Sequence, residues 1–101
     1  MAREVAWAES ASDDLAEIAS YIEKDSAFYA AAVVRELIEA ARSLELFAQR
    51  GRVVPEYRDP SLRELLVSDY RLVYEVSEVS VYVLRIVHGA RPLPADTHSS
   101  R

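Results

Sequence analysis

Three β-patterned runs, Leu62 to Val67, Tyr70 to Val76 and Val79 to Val87, follow one another with joints of only two residues. Joints that short mark neighbouring antiparallel strands. In and around these runs stand most of the side chains with usable chemistry: Glu56, Arg58, Arg63, Tyr70, Arg71, Tyr74, Arg85, His88 and Arg91. Arginine forks match phosphate geometry, so such a cluster on one sheet is suited to binding or cleaving a phosphodiester.

The first half of the chain has a different period. Arg3 to Trp7 alternates like a short strand, and Ser10 or Ser12 is placed to cap a helix with Asp13, Asp14 and Glu17 near its positive end. Ala11, Leu15, Ile18, Ala19 and Ile22 then form one apolar stripe, flanked by Tyr21. Lys24, Asp25 and Ser26 break the pattern, and Ser26 can cap a second helix with a stripe of Ala30, Val34, Leu37, Ala41 and Leu44, widened by Val33, Ile38 and Phe47. Gly51 is placed to end that helix, Val53 to Arg58 is extended but interrupted by Pro55, and Asp59-Pro60-Ser61 is a turn. The expected fold is α+β: an N-terminal strand, a helical hairpin, then a mostly antiparallel three- to four-stranded sheet with the hairpin on one face. Residues 1–93 are expected to form a single domain and 94–101 a flexible C-terminal tail.

Composition narrows the function. With 101 residues the chain is of one-domain size, and no apolar run approaches the roughly 18 residues of a membrane span. The start MAREVAWAES lacks a signal-peptide core, so a cytoplasmic protein is expected. There is no cysteine and there are two histidines, a poor set for zinc, so neither metal nor cofactor is expected. The net charge of −5 argues against non-specific nucleic-acid affinity. Up to Gln49 ten acids face four bases, whereas from Arg50 onward seven acids face eight arginines, so the second half is slightly basic.

The order of elements and several short motifs resemble the RelE/ParE superfamily of toxins from bacterial type II toxin-antitoxin systems. The resembling pieces are Ala11-x-x-Asp14-Leu15-x-x-Ile18-x-x-Tyr21-Ile22, Gly51-Arg52, Leu62-Arg63-Glu64, Tyr70-Arg71-Leu72-Val73-Tyr74 and Val87-His88-Gly89-Ala90-Arg91. The first-helix wording is nearer the ParE-like, plasmid-stabilisation branch. The resemblance implies a small growth-inhibiting toxin, neutralised by a cognate antitoxin in a hetero-oligomer.

Members of that superfamily act in two ways. ParE-like toxins poison DNA gyrase, whereas RelE-like and YoeB-like toxins cut messenger RNA in the ribosomal A site. RNA cleavage needs a base, phosphate-binding cations and an acid. By resemblance to the YoeB-like set, Glu56 would be the base, Arg63 and Arg71 the phosphate ligands and His88 the acid, with Tyr70 or Tyr74 meeting a base of the RNA. Strand parity divides these residues: Arg71 opposes Tyr70, Leu72 and Tyr74, while Tyr82, Leu84, Ile86 and His88 share one side of the last strand unless a bulge intervenes. The lack of any lysine after Lys24 and the acidic total favour the gyrase poison, with Arg85 and Arg91 in a target-binding surface. A third possibility is a non-toxic antitoxin-binding module using the strand that ends at Val87 and the apolar groove between helices and sheet.

Overall fold

The computed structural model of the protein describes residues 2–89, 91 and 93. Strand β1 (Glu4–Trp7) leads into helix α1 (Glu9–Glu23), and after a short turn helix α2 (Ala27–Ser43) runs back beside it. Ser26 caps α2 as its sequence position requires, its hydroxyl accepting from the Tyr29 amide at 3.0 Å. Neither Ser10 nor Ser12 caps α1; the cap position is Ala8, without a side-chain bond. Ser10 is committed elsewhere, its Oγ donating to the Leu84 carbonyl at 2.8 Å.

Four strands complete the chain: β2 (Arg52–Val53), β3 (Leu62–Val67), β4 (Tyr70–Val76) and β5 (Ser80–His88). The order β1-β5-β4-β3-β2 makes one five-stranded sheet, antiparallel except where β1 lies parallel to β5. Ser68 and Asp69 form the two-residue β3–β4 joint with Ser68 at φ 55°. The β4–β5 joint is longer, Ser77 to Val79, because Ser77 Oγ takes the Ser80 amide and Val79 stays outside the strand.

The helical hairpin covers one face of the sheet. Ala11, Val33, Leu37, Ala41 and Leu44 pack there against Leu65, Leu72, Tyr74, Val81, Val83 and Ile86. Ile38 and Phe47, expected in that stripe, are turned to solvent instead. The opposite face carries a smaller cluster of Val54, Leu62, Val73, Leu84, Val87 and Leu93, flanked by Tyr57. Leu93 is buried in this cluster, and the expected tail, 94–101, lies outside the described residues.

Two backbone details position the site. Helix α2 ends at Ser43, well before Gly51, so that glycine is not its stop signal. Gly51 is required by crowding: a Cβ there would meet the Glu64 carbonyl oxygen and the Tyr74 hydroxyl, both at 2.5 Å. The second detail is a bulge in β5. Val73 pairs with Arg85 but Tyr74 pairs with Val83, which leaves Leu84 as the extra residue. The bulge resets the strand's alternation, so Val81, Val83 and Ile86 face the helices while Leu84 and Val87 face the other side. The unbroken Tyr82-Leu84-Ile86-His88 face read from parity is therefore incorrect.

Candidate functional site

On the face away from the helices, Glu64 of β3 and Arg71 of β4 are charged yet lie almost wholly buried. Their register brings them together: Glu64 opposes Val73, two residues along β4 from Arg71. Arg71 Nε donates to Glu64 Oε1 at 2.7 Å, and its two terminal nitrogens grip Glu56 at 2.9 and 2.7 Å. The remaining Glu64 oxygen accepts from Arg52 Nε at 2.6 Å. Two cations and two carboxylates thus close into a neutral chain, Arg52–Glu64–Arg71–Glu56. Its outer end holds the C-terminal segment, for Arg71 Nη1 donates to the Arg91 carbonyl at 3.4 Å and Glu56 Oε2 accepts from the Leu93 amide at 3.3 Å.

This arrangement sets the protonation of its members. Hydrogen bonding from Arg71 holds the Glu56 carboxyl down to about 2, against an opposing effect of burial. The same contact, aided by Glu64, raises Arg71 further above its ordinary value. A carboxylate so stabilised is a weak proton acceptor near neutral pH. All three guanidinium nitrogens of Arg71 are engaged, so a phosphate would have to displace a carboxylate to reach them.

The helix-facing side holds the other candidates. Arg63 opposes Tyr74 and donates to the backbone oxygens of Pro60 and Gly51, both at 3.0 Å. Tyr74 is fully buried; its hydroxyl donates to the Ala48 carbonyl at 2.8 Å and accepts from the Gly51 amide at 3.0 Å. Burial pushes its phenol up. His88 opposes Tyr70, the two rings meeting edge to face at 5.9 Å. Because Tyr70 and Tyr74 are four residues apart on β4, Arg63 and His88 lie about 13 Å apart along the strand. The structure therefore joins Glu56 to Arg71 on one face and separates Arg63 from His88 on the other.

Around Tyr70 and His88 a cleft of about 470 Å³ opens between α1 and the end of β5, with Asp14, Glu17, Ile18, Tyr21, Arg85 and Arg91 on its walls. It exists because β1 stops early: its pairing ends at Trp7 opposite Val83, and Ala8 makes the last backbone bond to the Val83 carbonyl at 2.8 Å. Beyond that point α1 takes over as β5's neighbour through side chains one turn apart. Ser10 binds the Leu84 carbonyl, and Asp14 Oδ2 accepts from the Ile86 amide at 2.9 Å and from Arg85 Nε at 2.8 Å. The Asp14 bond also raises the Arg85 guanidinium above its usual value. Burial, with a smaller effect from Asp69, raises the Tyr70 phenol. Arg91 is exposed on the cleft wall.

The sequence offered Ser10 and Asp14 only as helix-terminal residues, and Arg52 and Glu64 only as parts of the resembling motifs; none of the four was expected in the site. A signal existed for Glu64, since its parity places it beside Leu62 on an inward face of β3, where a lone charge demands a partner. No such signal exists for Asp14 and Ser10, whose backbone partners on β5 are left open where β1 ends. Among the described residues no group of three or more His, Asp or Glu side chains is placed to share a metal ion, and no helix is long and apolar enough to cross a membrane.

Known proteins resemble this chain over most of its length. The family described as ParE toxin of type II toxin-antitoxin system, parDE, matches residues 5–93. Toxin RelE2 of Caulobacter vibrioides is 36% identical over 89 residues, spanning 87% of this chain and 97% of that protein. A solved structure titled as the chromosomal ParDE TA system from P. aeruginosa shares the fold, with a TM-score of 0.70 at 22% identity over 85% of this chain and 95% of its own.

Proposed function

Because this chain belongs to the ParE toxin family of type II toxin-antitoxin systems, we propose that it inhibits growth by poisoning DNA gyrase in the cytoplasm and is held silent by a cognate antitoxin in a hetero-oligomer. The observation that carries this reading is the closed Arg52–Glu64–Arg71–Glu56 chain. A ribonuclease of the YoeB type needs its base and its phosphate-binding arginine ready for substrate; here they neutralise each other. His88, the matching acid, packs edge to face on Tyr70 instead of beside that pair. With Glu56 and Arg71 so occupied, the cleft between α1 and β5, with Arg91 at its wall, offers an open surface to a protein target.

A second reading, a ribosome-dependent messenger RNA endoribonuclease, draws support from the relative named Toxin RelE2. Induction in cells separates the two. Gyrase poisoning gives gyrase-linked DNA breaks and filamentation before protein synthesis falls. Primer extension that finds messenger RNA cut at A-site codons ahead of any DNA damage would exclude the gyrase reading.

A further inference from the structure

A second cleft, of about 320 Å³, lies where the α1–α2 turn meets the β3–β4 turn. Its walls carry four rings, Tyr21, Tyr29, Tyr70 and His88, and two carboxylates, Asp25 and Asp69. Neither carboxylate belongs to an ion pair among the described residues. Tyr21 and Tyr29 are 69% and 51% exposed, so their rings are presented outward rather than used to fill the core.

Aromatic faces are electron-rich, and carboxylates beside them add negative potential, so a lining of this kind attracts a cation and repels an anion. The molecule already shows the attraction: Lys24 Nζ stands 5.9 Å from the centroid of the Tyr21 ring. Of the nearby arginines, Arg85 is paired with Asp14, and Arg52 and Arg71 with Glu64 and Glu56, while Arg91 stands on the wall of the larger cleft. The acidic excess of the N-terminal half, ten acids against four bases up to Gln49, extends the same field. A small metal ion keeps its water and gains little from ring faces. A planar guanidinium on an apolar stem stacks on them and hydrogen-bonds to carboxylates at its edge.

We propose that this cleft receives an arginine side chain from a segment of a protein partner. The cleft shares Tyr21, Tyr70 and His88 with the larger one, so a segment laid along the end of β5 reaches both. The site does not depend on whether the toxin's target is gyrase or the ribosome.

The test is an NMR titration of the full chain with the capped tripeptide Ala-Arg-Ala, and with the same peptide carrying citrulline, which keeps the shape and removes the charge. Saturating shifts at Tyr21, Tyr29, Tyr70 and Asp69 are expected, with ring-current displacement of the arginine methylenes and at least about fivefold weaker binding of the citrulline peptide. Tyr29→Leu on the helix surface and Asp69→Asn in the turn leave the core intact, and each is expected to weaken binding at least about threefold. Equal binding of the citrulline peptide, shifts confined to other surfaces, absence of any shift, or tighter binding of Ala-Glu-Ala would each overturn the proposal.

Discussion

Replacing Arg71 with methionine separates a structural arginine from a catalytic one. Methionine keeps much of the side-chain volume but leaves Glu64, whose side chain is wholly inaccessible, with Arg52 alone on one oxygen, and Arg52 is 59% exposed. Breaking a buried pair by removing one partner costs about 3–5 kcal/mol, and the surviving Arg52 contact places this case at about 3. For a chain of this size 1 kcal/mol corresponds to roughly 5 °C, so the thermal midpoint should fall by about 15 °C. Urea unfolding should show the same loss with an unchanged slope, which would assign it to the native state. Removing both charges, as Arg71→Met with Glu64→Leu, should recover at least about half of the loss, because no unpaired charge then remains in the core. A midpoint within about 2 °C of the parent, the range of ordinary surface substitutions, would refute this reasoning, most sharply if toxicity were lost at the same time.

Glu56 gives a pH dependence of defined sign. Its folded value of about 2 lies below the ordinary carboxylate value of 4.5, so its stabilisation is complete above pH 4.5 and is lost as pH falls through about 2. With its side chain 28% exposed, about 2 kcal/mol should disappear over that window, and Glu56→Gln should flatten that part of an acid titration of stability. Asp14→Ala should unbind the Ile86 amide and Arg85 together, costing about 2–3 kcal/mol and speeding hydrogen exchange at Ile86 relative to Leu72. Gly51→Ala should cost at least about 2 kcal/mol in urea unfolding, because its methyl group meets the rigid Glu64 backbone as well as the Tyr74 hydroxyl.

Some of this architecture is legible in the amino-acid sequence because it is local. The boundaries of β3 and β4 follow from alternation and a two-residue joint, and Ser26 declares itself as a cap by position. The family follows from motif order, which is a property of the chain. The organisation of the site is not local. Ser10 is of the residue type that caps helices, yet it binds a carbonyl 74 residues away because β1 ends before it can pair there. Parity without the bulge placed Leu84 with Ile86, and one extra residue was enough to send them to opposite faces. Glu56, Arg63, Arg71 and His88 were gathered by resemblance, but which of them meet depends on strand register and on the turn carrying Glu56. Register put Arg71 between two carboxylates and set His88 against Tyr70.

The most direct test of the proposed function is a cleavage assay with purified chain, purified gyrase, supercoiled plasmid and ATP, run beside a translation extract programmed with a defined messenger RNA. Accumulation of linear plasmid covalently attached to gyrase, suppressed by the antitoxin, with the messenger RNA left intact, is the predicted result. Intact plasmid together with messenger RNA cut at the A-site codon would contradict it.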